Sequence, residues 1–189
     1  MTGIIILAAG SSSRLSKPKQ NLVYKGRTLL QRAIETALKS VCRPVIVVLG
    51  ANENVIMSTI EGFDAAIIQN PGWQEGMASS IRSGIEELQI IEPEADSVIL
   101  MLCDQPFVDA SLIDRLVQKK SIKSIVACAY DNTIGAPVLF AAAYFDELLL
   151  LKGQEGAKKL LMKYPYDVIT VSFPRGSIDI DTVEDFERL

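Results

Sequence analysis

Strand-length apolar runs alternate with helix-length amphipathic stretches through the first 120 residues, and few folds accept that order. The runs are 4–7, 45–49, 65–68 and 98–102; the stretches that follow them are 28–39, 54–60, 78–88 and 111–119. Runs such as IIIL and VIVVL carry no polar alternation, as expected of strands covered on both faces. Strand, helix and strand in repetition give right-handed βαβ units and a mostly parallel sheet. The expected fold is therefore a three-layer α/β/α, Rossmann-like domain. Thr28 with Gln31 predicts a capping box at one helix start, and Asp109 a cap at another.

Beyond Lys120 the alternation loosens. A strand is expected at 125–129, an apolar run at 137–140, two helices around the GQEG turn at 153–156, short strands at 168–171 and 178–180, and a closing helix at 182–189. This half is expected to build one wall of a cleft. With 189 residues and 49% hydrophobic content, the chain suits one domain, residues 1–189.

Composition excludes several functions. A net charge of −4 and a pI near 5.0 argue against a broad nucleic-acid face. The apolar runs are too short to span a membrane, and a strand starting almost at Met1 leaves no room for a secretory leader, so a cytoplasmic protein is expected. Cys42, Cys103 and Cys128 show no CxxC spacing and read as reduced thiols. Histidine is absent. Any bound metal would then be held by oxygen, which favours magnesium or a similar hard ion.

The first loop concentrates positive charge. The first strand ends at Leu7 and Ala8, and Ala9, Gly10, Ser11, Ser12 and Ser13 follow with almost no side-chain bulk. Their amides can close on phosphate oxygens as an anion-binding nest does. Arg14, Lys17 and Lys19 supply cations, with Pro18 stiffening the approach. The loop lies outside the carboxyl end of a strand, where ligands of open α/β sheets bind. It has neither Walker nor GxGxxG spacing, and a solvated Gly/Ser surface loop is the competing reading.

Five further segments can carry chemistry. SVILMLCDQPFV, 97–108, delivers Asp104 to the same sheet edge, as a turn aspartate or a magnesium ligand. SIDIDTVEDF, 177–186, offers Asp179 and Asp181 on one face of a short strand, as ligands or as helix caps. NPGWQEGMASSIRSG, 70–84, joins a turn to a helix start, where Ser79 and Ser80 can cap. GAPVLF, 135–140, bends into a buried strand, and QEGAK, 154–158, is a turn with an exposed lysine.

The opening loop resembles the LAAGxSxRxGxPK signature of the nucleotidyltransferase superfamily that includes the molybdopterin cytidylyltransferases and guanylyltransferases. The DQP triplet, the GMxxSIRxG pattern, the GxPxLF segment and the DxDTxED ending resemble that family in the same chain order. Many relatives have Gly where this chain has Ser16. The resemblance implies the nucleotide-diphospho-sugar transferase type of fold and transfer of a cytidylyl group from CTP to molybdopterin in molybdenum cofactor biosynthesis. It also implies magnesium, and a molybdoenzyme or its chaperone as partner. It assigns Arg14 and Lys19 to catalysis, residues 7–13 with Gly76, Met77, Ser80 and Arg82 to the nucleotide, and Asp104 with Asp181, or Asp179 in reserve, to the metal. Gly135, Pro137, Gln154, Gly156 and Lys158 fall to the acceptor. A methylerythritol- or sugar-phosphate nucleotidyltransferase, and a nucleotide-binding module without catalysis, are the alternatives.

Overall fold

Ile4, Ile5 and Ile6 are wholly shielded from solvent, which places the first strand at the centre of the sheet. The computed structural model describes residues 1–11, 18–122, 124–180 and 185. Its first half runs β1 (Thr2–Ala8), β2 (Val23–Tyr24), β3 (Arg27–Thr28), α1 (Leu29–Lys39), β4 (Val45–Leu49), α2 (Glu53–Ile60), β5 (Ala66–Gln69) and α3 (Met77–Ile91). β6 (Ser97–Leu102), α4 (Ala110–Gln118), β7 (Ile125–Tyr130), β8 (Thr133–Ala141), α5 (Phe145–Leu149), α6 (Ala157–Lys163) and β9 (Val168–Ser172) follow.

Seven strands form one sheet in the order β5-β4-β1-β6-β8-β7-β9. β5, β4, β1 and β6 are parallel. β8 alone runs against its neighbours, pairing antiparallel with β6 and β7, and β9 is parallel to β7. The sheet is thus mostly parallel with helices on both faces, the architecture expected from the alternation.

The alternation of side chains along β1 explains why an unbroken apolar run is required. Ile4 and Ile6 pack into a core with residues of α1, α2 and α4, among them Ile34, Ile56 and Leu112. Ile5 points the other way, into a core shared with Ile81 and Ile85 of α3 and Leu160 of α6. Each such burial contributes about 1.5–3 kcal/mol, so a polar residue anywhere in IIIL would be costly on either face.

The expected caps form. Thr28 Oγ1 accepts the Gln31 amide at 3.1 Å while Gln31 Oε1 accepts the Thr28 amide at 2.9 Å, a reciprocal capping box. Asp109 accepts the Leu112 amide at 2.8 Å. The strand expected at 178–180 is absent. It pairs with no strand among the described residues, and the Ile180 amide instead donates to the Asp104 carbonyl at 3.1 Å. Of the closing helix, only Asp185 lies among the described residues, and it is helical.

Candidate active site

β1 and β6 are adjacent and in register, Leu7 opposite Leu102. The small-residue loop after Ala8 and the Cys103–Asp104 turn after β6 therefore leave the sheet side by side. Between them opens a cleft of about 440 Å³. A shallower hollow of about 680 Å³ lies at the β7–β8 hairpin. It shares no lining residue with the cleft, and no lysine or arginine is among the residues that line it.

Lys19 and Asp104, distant in sequence, meet at this edge. Lys19 Nζ lies 2.6 Å from Asp104 Oδ2, with the two side chains 17% and 14% exposed. Asp104 Oδ1 is buried and has no hydrogen-bond partner among the described residues. A buried carboxylate oxygen left without a donor is costly, and it offers a ready ligand atom to a hard cation. Among the described residues no three His, Cys, Asp or Glu side chains cluster. That donor set suits magnesium-like binding, in which one or two carboxylates act together with substrate phosphates.

Gln20, which sequence reasoning passed over, shapes the loop. Its side chain is 1% exposed, and Nε2 donates to the carbonyls of Ala8 and Gly10 at 2.8 and 3.0 Å. The Ala9 carbonyl accepts the Ala51 amide at 3.2 Å. Three successive carbonyl dipoles are thus committed to protein donors, which removes them from competition with an anion. Trp73, Gln74, Leu102 and Cys103 also line the cleft without having been singled out. Burial pushes the Cys103 thiol up to about 12, and the nearby Asp104 charge adds to this, so it remains a neutral part of the wall.

The other candidates are distributed as follows. Leu7 to Ser11 line the cleft, as do Gly76, Met77, Ser80 and Gln154. Asn70 holds Ser80 in place, donating from Nδ2 to Ser80 Oγ at 3.0 Å and to Ser79 Oγ at 2.8 Å. Ser12, Ser13, Arg14 and Asp181 lie outside the described residues. Asp179 is exposed, but its neighbour Ile180 is bonded to Asp104. Its charge is felt at the Tyr130 phenol, raised first by burial and then by Asp179.

Arg82, Gly135, Pro137, Gly156 and Lys158 are not part of the lining. Arg82 is engaged with Glu75 and Leu151. Gly156 packs on Met77, with a Cβ there only 2.7 Å from Sδ. Lys158 is exposed on α6. The bend at 135–137 is tied to the Asp104 turn through Gln105, whose Nε2 donates to the carbonyls of Ala136 and Gly176 at 3.3 and 3.2 Å.

A parallel-sheet edge that pairs a cation with a carboxylate beside a small-residue loop fits a nucleotidyltransferase, and this protein is one. Residues 4–168 match the MobA-like NTP transferase domain, so the chain belongs to that family. It is 31% identical to the nicotine blue oxidoreductase of Paenarthrobacter nicotinovorans, over 100% of this chain and 96% of the relative. It is 22% identical to the molybdenum cofactor cytidylyltransferase of Escherichia coli (strain K12), over 96% and 92%. Among solved structures, Rv0371c from Mycobacterium tuberculosis H37Rv superposes with a TM-score of 0.84 at 29% identity, covering 100% of this chain and 96% of that one. The same protein has been solved in complex with manganese.

Proposed function

We propose that the protein is a CTP:molybdopterin cytidylyltransferase. The observation that carries the reading is the Lys19–Asp104 pair, at 2.6 Å, whose second carboxylate oxygen has no hydrogen-bond partner among the described residues, at the mouth of the small-residue loop. Preference for CTP and for a pterin acceptor is supported by the resemblance of the LAAG opening, which lacks a Gly-Gly pair, and of the GAPVLF segment to the cytidylyl branch of the molybdopterin enzymes, and by the molybdenum cofactor cytidylyltransferase among its relatives.

In this reaction a terminal phosphate oxygen of molybdopterin forms a bond to the α-phosphorus of CTP. The bond from that phosphorus to the bridging oxygen breaks, and pyrophosphate leaves with the electron pair. The nucleophile is already an anion, so no general base is needed, in keeping with a chain that has no histidine. What remains is alignment and neutralisation of charge. Lys19 neutralises phosphate oxygens, and the committed carbonyls of residues 8–10 leave the loop electropositive toward them. Asp104 and an acid of the C-terminal segment, Asp179 or Asp181, would hold magnesium, which supplies further neutralisation when bound. Arg14 is proposed as a second cation on the triphosphate.

The test is pyrophosphate release, with CTP, GTP, ATP and UTP each offered with molybdopterin, methylerythritol phosphate or a sugar phosphate. The reading predicts fastest release with CTP and molybdopterin. A faster reaction with another acceptor or nucleotide would replace that specificity. Redox turnover without pyrophosphate release, the class of chemistry for which the Paenarthrobacter relative is named, would overturn the reading.

A further inference from the structure

The turn between α5 and α6 is fastened to the cleft by more bonds than a helix connection needs. Arg82, in the second turn of α3, donates from Nη1 and Nη2 to the two carboxylate oxygens of Glu75 at 2.9 and 2.5 Å. Nη1 also reaches the Leu151 carbonyl at 2.7 Å. Glu75 Oε1 accepts the Gly153 amide at 3.2 Å, and the Gly153 carbonyl accepts the Ala78 amide at 3.1 Å. The pairing holds the Glu75 carboxyl below its usual range, through Arg82 first and the Gly153 amide second.

The close approach depends on Gly76. Its φ is +126°, and a Cβ there would run into the Gly153 carbonyl and stand 2.8 Å from Gln154 Cδ. Residues 151–154 are thus pressed against the start of α3, and Gln154 joins Gly76, Met77 and Ser80 in the cleft wall.

Charge is segregated within the cleft. Its only ionic lining side chains among the described residues are Lys19 and Asp104, whereas the wall around α3 presents Trp73, Gln74, Met77, Ser80 and Gln154. Aromatic, thioether, hydroxyl and carboxamide groups suit a neutral, planar ligand with a hydrogen-bonding edge. The ionic end suits phosphates.

We infer that Gln154 reads the polar edge of the nucleobase, and that the Glu75–Arg82 clasp is the positioning device that aims it. This rests on the nucleotide reading above, and it moves Gln154 from the acceptor to the nucleoside. A carboxamide both donates and accepts, so it can pair with the adjacent donor and acceptor of cytosine. A carboxylate only accepts. Guanine presents two adjacent donors, which a carboxylate can take together.

Equilibrium binding of CTP and of GTP, each with magnesium, to the wild-type protein, to Gln154→Glu, Gln154→Ala and Arg82→Ala, and to the variant combining Gln154→Ala with Arg82→Ala tests this. Gln154→Glu is expected to shift the GTP-to-CTP affinity ratio by about tenfold or more toward GTP, because added charge weakens both triphosphates alike and cancels in the ratio. Gln154→Ala is expected to weaken CTP, and Arg82→Ala to add nothing once Gln154 is gone, as befits residues acting as a unit. An unchanged ratio in Gln154→Glu, with the wild type binding CTP, would overturn this inference and leave the proposed function standing. A wild-type protein that binds no nucleotide would overturn both.

Discussion

Removing Lys19 strands a carboxylate. Its ammonium is 2.6 Å from Asp104 Oδ2, both side chains are mostly shielded, and the second oxygen of Asp104 has no partner among the described residues. An exposed pair contributes about 0–1 kcal/mol, whereas breaking a fully buried one costs about 3–5 kcal/mol. The residual exposure of 17% and 14% puts Lys19→Ala between these, at about 2–3 kcal/mol. For a chain of this size that lowers the melting temperature by roughly 5–10 °C. Much of the loss comes from the stranded charge, so Lys19→Ala combined with Asp104→Asn should recover most of it. Manganese should raise the melting temperature of Lys19→Ala more than that of the wild type, because the cation no longer shares the Asp104 carboxylate with an ammonium. Turnover should fall about 10²–10³-fold, as on losing one preorganised charge-stabilising contact. Calorimetry with and without manganese, together with pyrophosphate release, measures all of this. A melting temperature within a degree of wild type, or a rate within about threefold of it, would refute the reasoning.

Gln20→Leu should cost about 2–3 kcal/mol, since it leaves the Ala8 and Gly10 carbonyls without their side-chain donor, and it should raise the KM for CTP; denaturant titration and steady-state kinetics check both. Cys103, buried and with its thiol pushed up to about 12, should resist an aromatic disulfide reagent in the native protein and react once the chain is unfolded. Burial pushes the Asp96 carboxyl up, but hydrogen bonds from Lys120 and Ser97 outweigh it and hold the group at about 2. Because its folded value lies below its unfolded one, its stabilisation is full above about pH 4 and is lost as pH falls toward 2. Asp96 is 56% exposed, so screening reduces the contribution to about 1 kcal/mol. Asp96→Asn should therefore be less stable than wild type at pH 6, with the gap closing near pH 2.5 in urea titrations at the two pH values.

Elements buried on two faces announced themselves in the sequence, because unbroken apolar runs such as residues 45–49 have few other uses. The reversed direction of β8 was harder to see. It follows from a tight turn at Asp131 and Asn132, both with positive φ, and a mostly parallel pattern gives no reason to expect it. The β2–β3 hairpin is two residues per strand, too short for any periodicity. At 178–180 an alternation that imitates a strand reports only that Ile180 is buried and Asp179 is not. The facing of Lys19 and Asp104 was legible in outline, since both follow strands expected to be parallel. Gln20 and the Glu75–Arg82 clasp were not. Apart from the Glu75–Arg82 ion pair itself, the bonds described for them go to backbone carbonyls and amides, which every residue has, and only the folded chain decides which of them come within reach.

The most direct measurement uses CTP labelled at the α-phosphorus, incubated with molybdopterin and magnesium. The account predicts that the label moves to the pterin with one pyrophosphate released for each label transferred, and that Lys19→Ala and Asp104→Asn depress both together. Label remaining on free CTP or CMP while the acceptor is unchanged, or transfer undiminished in both variants, would contradict it.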